Sequence, residues 1–244
     1  MAHSRDRVRV AVAAVVALAL VARVVGLGSR PFHWDEARVG YWTLRYAETG
    51  VYEYRPVAGG PLLYHVGKWV VRLGGASDGL ARLPVALVGG LLPAAALLFR
   101  GRLRDDETVA TAAVLGFAPL LVYYGRFLRA DLLAAAAALV AVGAVLRWVD
   151  TDRDRYLYAA AATVAVAAAT SGFVVATLVV TLVAGVVAVD HRRVAGAGET
   201  VPAALAARSR WLAARATPLA RALFVFLGTW AVLFAPRGAG LLTE

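Results

Sequence analysis

Two short stretches hold most of the groups in this chain that could do chemistry. The first, Arg30-Pro31-Phe32-His33-Trp34-Asp35-Glu36-Ala37-Arg38, sets a His, a Trp and two adjacent carboxylates directly behind an apolar run. The second, Tyr123-Tyr124-Gly125-Arg126-Phe127-Leu128-Arg129-Ala130-Asp131, sets two tyrosines, two arginines and a carboxylate between two further apolar runs. A carboxylate within hydrogen-bond reach of a hydroxyl can act as its general base. Guanidinium groups bind phosphate in a bidentate way, and an arginine pair suits that anion. An acidic stretch and a cationic stretch on one membrane face would make a site for a lipid-linked phosphate.

Each stretch also has a plainer account. Pro31 breaks whatever precedes it, so a helix is expected to begin near Trp34, with Asp35 and Glu36 in its first turn. There the helix dipole favours anions by ~0.3–1 kcal/mol. Neighbours on a helix point about 100° apart, so the two are not a shared-proton dyad. One can face a ligand while the other holds a neighbour such as Arg38 or His33. In the second stretch, Tyr123 and Tyr124 suit an interfacial belt, Arg126 and Arg129 can snorkel, and Asp131 can cap the next helix.

The elements that must position these groups are membrane helices. The chain has 244 residues, 61% of them hydrophobic, and no cysteine, which excludes disulfides and thiolate metal sites. Its mean hydropathy is +0.68. The net charge of +10 comes from arginines lying mainly between apolar runs, so topology accounts for it better than nucleic acid does. A spanning helix needs ~20 predominantly apolar residues. The runs 8–27, 80–99, 108–125, 131–149, 156–189 and 219–235 qualify, the fifth as a pair broken near Ser171-Gly172. The expectation is therefore an all-α, polytopic bundle of about seven spans, forming one membrane domain over 1–244.

Orientation follows from the short connections. With the N-terminus cytoplasmic, segments 1–7, 100–107, 150–155 and 190–218 lie inside and carry twelve arginines, whereas the short outer segments carry Arg126, Arg129 and Arg237. That is the positive-inside bias. Segment 190–218 is then a cytoplasmic loop, and 28–79 is extracytoplasmic. The outer loop holds nine aromatics, among them Trp34, Tyr41, Trp42, Tyr54, Tyr64 and Trp69. Its pieces 34–48 and 61–73 are amphipathic and too short to span, as helices lying in the interface are. In the second piece Leu62, Val66, Trp69, Val70 and Leu73 form an apolar stripe, and His65, Lys68 and Arg72 share the opposite face. The aromatics suit either an interfacial belt or the walls of a sugar or lipid-headgroup site.

The segments "HWDEARVGYW", "GPLLYHVGKWVVRLGGASDGLARLPVALVGGLLPAAALL" and "YYGRFLRAD" resemble the polytopic GT-C glycosyltransferases. The branch is that of the protein mannosyltransferases and lipid A aminoarabinose transferases, and the similarity is nearest to archaeal membrane proteins described as flippase activity-associated. It runs from about Arg30 to Arg237 and covers the N-terminal half of such a fold. The resemblance implies transfer of a sugar from a polyprenyl-phosphate donor at the outer face, with inversion, in surface glycan or glycoprotein assembly. It implies Asp35 as base, Glu36 as its partner and Asp131 as an acceptor-side carboxylate. Arg126 and Arg129 become phosphate ligands, and His33, Trp34, Arg38, Tyr64, His65, Tyr123 and Tyr124 complete the substrate contacts. The plasma membrane is the expected location, and the expected partners are the lipid donor, membrane lipids and other glycan-assembly membrane proteins. No cofactor is required, since phosphate leaves as an anion that cations stabilise; a divalent metal has room but no ligand cluster that demands it.

The chain departs from the branch at three places. Gly59-Gly60-Pro61 carries no His before Gly-Pro, and Ser171-Gly172 stands where a Lys-Glu pair usually ends the fifth span. Third, chains of the branch are expected to continue past "APRGAGLLTE" with further spans and an outer domain, as a degenerate or truncated GT-C paralogue would not. A non-catalytic accessory that handles or translocates lipid-linked glycans is therefore the alternative function. The orientation has its own check. With His3→Cys and Thr200→Cys, both thiols should resist an impermeant reagent in intact cells, and ready labelling at both would turn the acidic loop to the inside.

Overall fold

The computed structural model describes residues 2–52, 59–172 and 201–238, with isolated positions between 176 and 187. The described residues are helical with no strand. Helix α1 (Ala2–Val24) leads into α2 (Trp34–Thr49) and α3 (Leu62–Gly74). Then come α4 (Asp78–Leu91), a 3-10 continuation (Leu92–Phe99), α5 (Asp105–Phe117), α6 (Pro119–Tyr124), α7 (Ala130–Thr151) and α8 (Asp154–Ala168). Beyond residue 200 come α9 (Val201–Ala213) and α10 (Ala216–Phe234).

Among the described residues, three helical segments are long and apolar enough to cross a membrane: Asp78–Phe99, Ala130–Thr151 and Ala216–Phe234. They match three of the expected spans. The expected span 108–125 is instead split, because Ala118 leaves the helix (ψ 126°) just before Pro119. A residue before proline is pushed out of the α region, and the proline then starts a new helix at its first position. Helix α1 carries Arg7, Arg9 and Arg23 along its length. The expected pair 156–189 is described as α8 to Ala168 and a turn at 169–172. The rest of that pair, residues 190–200 of the expected cytoplasmic loop, and Tyr54 lie outside the described residues, save for scattered helical positions up to 187.

Local chemistry sets the short helices. His33 takes an extended N-cap conformation, and the Glu36 carboxylate accepts the His33 N–H at 3.0 Å, the return bond of a capping box. Gly50 ends α2 in the left-handed region (φ 76°). Helix α3 shows which way its amphipathic face turns. His65 is buried with Leu63, Tyr64 and Gly67, while Trp69 and Leu73 of the apolar stripe are 56% and 85% exposed. The apolar face is the outer one, as in a helix that lies against lipid. Asp131 is a smaller correction: the N-cap of α7 is Arg129, and Asp131 sits inside the first turn.

The largest core cluster joins α2, α3, α4 and α7 through Val39, Leu63, Tyr64, Val85, Leu128 and Leu132. Around it α1 packs on α4 and α5, α7 packs on α8, and α8 packs on α10. The α7–α8 contact uses Ala134, Ala137 and Ala167, small residues that let helices approach closely.

At the centre lies a fully buried ion pair, Glu36 with Arg82. Arg82 Nε donates to Glu36 Oε1 at 2.7 Å and Nη2 donates to Oε2 at 2.8 Å. The remaining Arg82 N–H groups reach the carbonyls of Leu27, Arg30 and Pro31. Glu36 Oε1 also accepts the Leu128 N–H at 2.8 Å. Removing one partner of such a pair leaves an uncompensated buried charge, which costs about 3–5 kcal/mol. Arg82→Met and Glu36→Gln should each lower the thermal midpoint of the detergent-solubilised protein sharply. The double variant Glu36→Leu/Arg82→Met should recover part of the loss, read as a smaller shift than either single change.

Candidate functional site

The Leu128–Glu36 bond fixes the turn between α6 and α7 against the start of α2, and this brings the two polar stretches together. Arg129 Nη1 lies 3.5 Å from Asp35 Oδ2, and Arg129 Nε donates to Asp131 Oδ2 at 2.8 Å. One guanidinium thus serves both carboxylates. All three side chains are open to solvent, 48% for Asp35, 40% for Arg129 and 61% for Asp131. His33 Nδ1 is 3.9 Å from the same Asp35 oxygen, Oδ2.

Arg129 and Asp131 stand at the polar end of a groove of about 380 Å³ between α6 and α7. Leu120, Leu121, Leu132 and Ala135 make its apolar walls, and Tyr124 sits beside the arginine. An apolar trough ending in a cation and carboxylates fits an amphiphile with a charged head. Among the described residues no three His, Asp or Glu side chains gather closely enough to hold a metal ion, and the Arg129 guanidinium already bridges the two carboxylates as a cation would.

Several residues expected at the site are placed elsewhere. Glu36 is buried in the Arg82 pair, out of reach of a ligand. Burial alone would raise its carboxyl; the Arg82 guanidinium and the His33 and Leu128 N–H groups outweigh that and hold it below the usual carboxylate range. Arg126 is not free for a phosphate. Its Nη1 donates to the carbonyls of Ala22, Arg23 and Val25, and its Nη2 to that of Gly26, so it caps the C-terminus of α1. Trp34 and Tyr123 are exposed, Arg38 is exposed, and Tyr64 is in the core.

His65 closes a different contact. Its Nε2–H donates to the Leu233 carbonyl at 2.8 Å, and the Tyr46 hydroxyl is 3.4 Å from Nδ1. With the Tyr52 N–H donating to the Arg237 carbonyl at 2.8 Å, this ties the end of α10 to the outer loop.

Gly59-Gly60 and the segment ending at Ser171-Gly172 are neighbours. The Gly60 N–H donates to the Thr170 carbonyl at 3.0 Å and the Leu62 N–H to the Ala169 carbonyl at 3.1 Å. A Cβ on Gly60 would lie 2.0 Å from the Ala169 oxygen, and one on Gly59 (φ +90°) 2.6 Å from the Thr170 oxygen. Backbone meets backbone here, and no side chain fits at either glycine without displacing it.

Sequence reasoning missed Arg82 and Arg23, both fully buried. The signal was present: a single charge inside an apolar run needs a partner or a function. Comparison with known proteins assigns nothing further, since no family model, no curated protein and no solved structure matches the chain.

The His65 contact predicts a pH dependence. Burial first, then the Arg237 and Lys68 charges, push its pKa down, against the Leu233 bond that raises it, with a net value below the ordinary 6.5. A folded-state value below the unfolded one means the unfolded chain binds the proton more readily. Stability is then full above pH about 6.5 and falls as pH drops through that value toward the folded one. Thermal midpoints measured across this range should decline on the acid side, and His65→Gln should flatten the decline.

Proposed function

We propose that the chain transfers a glycosyl group from a polyprenyl-phosphate-linked sugar to an acceptor hydroxyl at the extracytoplasmic face of the plasma membrane. The reading takes the chain as a multi-pass GT-C-type protein of about seven spans with a cytoplasmic N-terminus. The observation that carries it is Arg129, held between Asp35 and Asp131 at the polar end of an apolar groove. In the proposed step Asp35 removes the acceptor O–H proton. The acceptor oxygen bonds to the anomeric carbon from the face opposite the phosphate. The bond from that carbon to the phosphate oxygen breaks, and its electron pair stays on the lipid phosphate. Arg129 faces the charge that develops there, and Asp131 orients the acceptor. Glu36 has no chemical part in this scheme; it holds Asp35 and Arg129 in register.

The contact of Gly59-Gly60 with Ala169-Thr170 favours the second reading, an accessory that binds lipid-linked glycans without chemistry. A position at which the resemblance implies a His is closed by backbone in this chain.

One variant separates the two. Asp35→Asn should reduce product formation 10²–10⁴-fold in membranes supplied with polyprenyl-phosphate sugars, as loss of a general base does. Protein level and lipid binding should stay near wild type, because Asp35 is exposed. Unchanged transfer would end the catalytic reading, and a wild type that binds the lipid without forming product would establish the accessory one.

A further inference from the structure

Two arginines among the described residues are fully buried, Arg82 and Arg23. Arg82 has the Glu36 carboxylate. Arg23 has no carboxylate within ion-pair distance among the described residues. Its Nη1 donates to the carbonyls of Ala19 (3.1 Å) and Gly116 (2.8 Å), the second at the frayed end of α5. Its Nε and Nη2 have no hydrogen-bond partner. A buried cation without an anion is among the most expensive arrangements in a protein interior, and near a membrane such a charge marks a binding or transport function by default.

The position of Arg23 suggests the missing anion. The point where a Cβ on Gly89 would sit is 2.9 Å from Arg23 Nε and 2.7 Å from Leu132 Cδ2, and a Cβ on Gly125 would be 2.8 Å from the same Nε. Leu132 is a wall of the α6–α7 groove, as are Leu121 and Tyr124 beside Gly125. Leu132, a wall of the groove, and the unpartnered guanidinium thus meet at the Gly89 position. The two glycines leave the room that it occupies.

Charge points the same way. Asp35, Arg129 and Asp131 together carry one net negative charge, so a phosphate brought to the groove needs a second cation. Arg126 is close to Arg23, but its guanidinium is bonded to four carbonyls at the negative end of α1. Arg23 has the unused donors.

We infer that Arg23 is the counter-ion for the phosphate of a prenyl lipid bound in this groove, reached when the Leu132 side chain turns aside. This rests on the proposed lipid-phosphate ligand and names the residue that discriminates the phosphate from the corresponding alcohol.

The test uses the full chain in phosphatidylcholine nanodiscs, with polyprenyl phosphate, the matching polyprenol and inorganic phosphate as probes. The wild type should bind polyprenyl phosphate at least roughly tenfold tighter than polyprenol, the scale of a charge-assisted hydrogen bond. Arg23→Gln should erase that preference while polyprenol binding stays the same. Arg23→Lys should restore part of it, since the charge remains and the fork does not. A preference that persists in Arg23→Gln overturns the assignment of Arg23 alone, whereas a wild type without the preference overturns the lipid-phosphate reading as well. Displacement of the lipid by inorganic phosphate at equal concentration overturns the lipid assignment. If the Arg23 variants do not fold, the wild type decides: a diazirine next to the lipid phosphate should crosslink within Leu121–Leu133, and crosslinks confined to other segments overturn the proposal.

Discussion

The Glu36–Arg82 pair is the constraint from which the rest of the outer face follows. Every N–H of the guanidinium and both oxygens of the carboxylate are engaged, so neither charge is left uncompensated in the interior. Such a network is stable only when complete, because low local dielectric strengthens each bond and penalises each vacancy. Its members come from the α1–α2 connection, the start of α2, the middle of α4 and the turn before α7. Held together by these bonds, the four segments put Asp35 beside Arg129.

The adjacent acids of the first stretch therefore divide their roles by orientation. Roughly 100° of helix rotation turns Glu36 inward to Arg82 and leaves Asp35 facing solvent. The sequence made that division legible, and also the polar character of the 123–131 turn and the three long apolar helices. It reached the His33 contact of Glu36 but not the ion pair, because Arg82 lies 46 residues away within a run that otherwise looks like filler. Spacing reveals neighbours along a helix and says nothing about partners across one. The same limit explains Arg126: four carbonyls of a distant helix end carry no side-chain signature. The α3 face was legible as amphipathic, yet its direction was not, since Tyr46 and the Leu233 carbonyl, which draw His65 inward, belong to elements far away in the chain.

At Gly59-Gly60 the segment before α3 meets the end of α8 backbone to backbone. Where the loop meets the end of α8, main-chain hydrogen bonds replace side chains on both sides. A side chain at Gly59 or Gly60 would meet the Thr170 or Ala169 carbonyl, whereas a Cβ at Gly172 meets nothing within 4 Å, so the constraint lies on the Gly59-Gly60 side of the contact.

The Arg126 cap has a consequence for how deep the outer face can sit. A helix ordinarily ends where water can reach its last carbonyls, because an unsatisfied carbonyl in hydrocarbon costs several kcal/mol. The end of α1 needs no water: the chain supplies a four-bonded guanidinium in its place. The uncharged part of α1 before Arg23 is only Val10–Ala22, well under the ~20 residues that match a bilayer core. A short helix sealed by its own chain can end within an apolar surround, and the polar turn that seals it can lie there too.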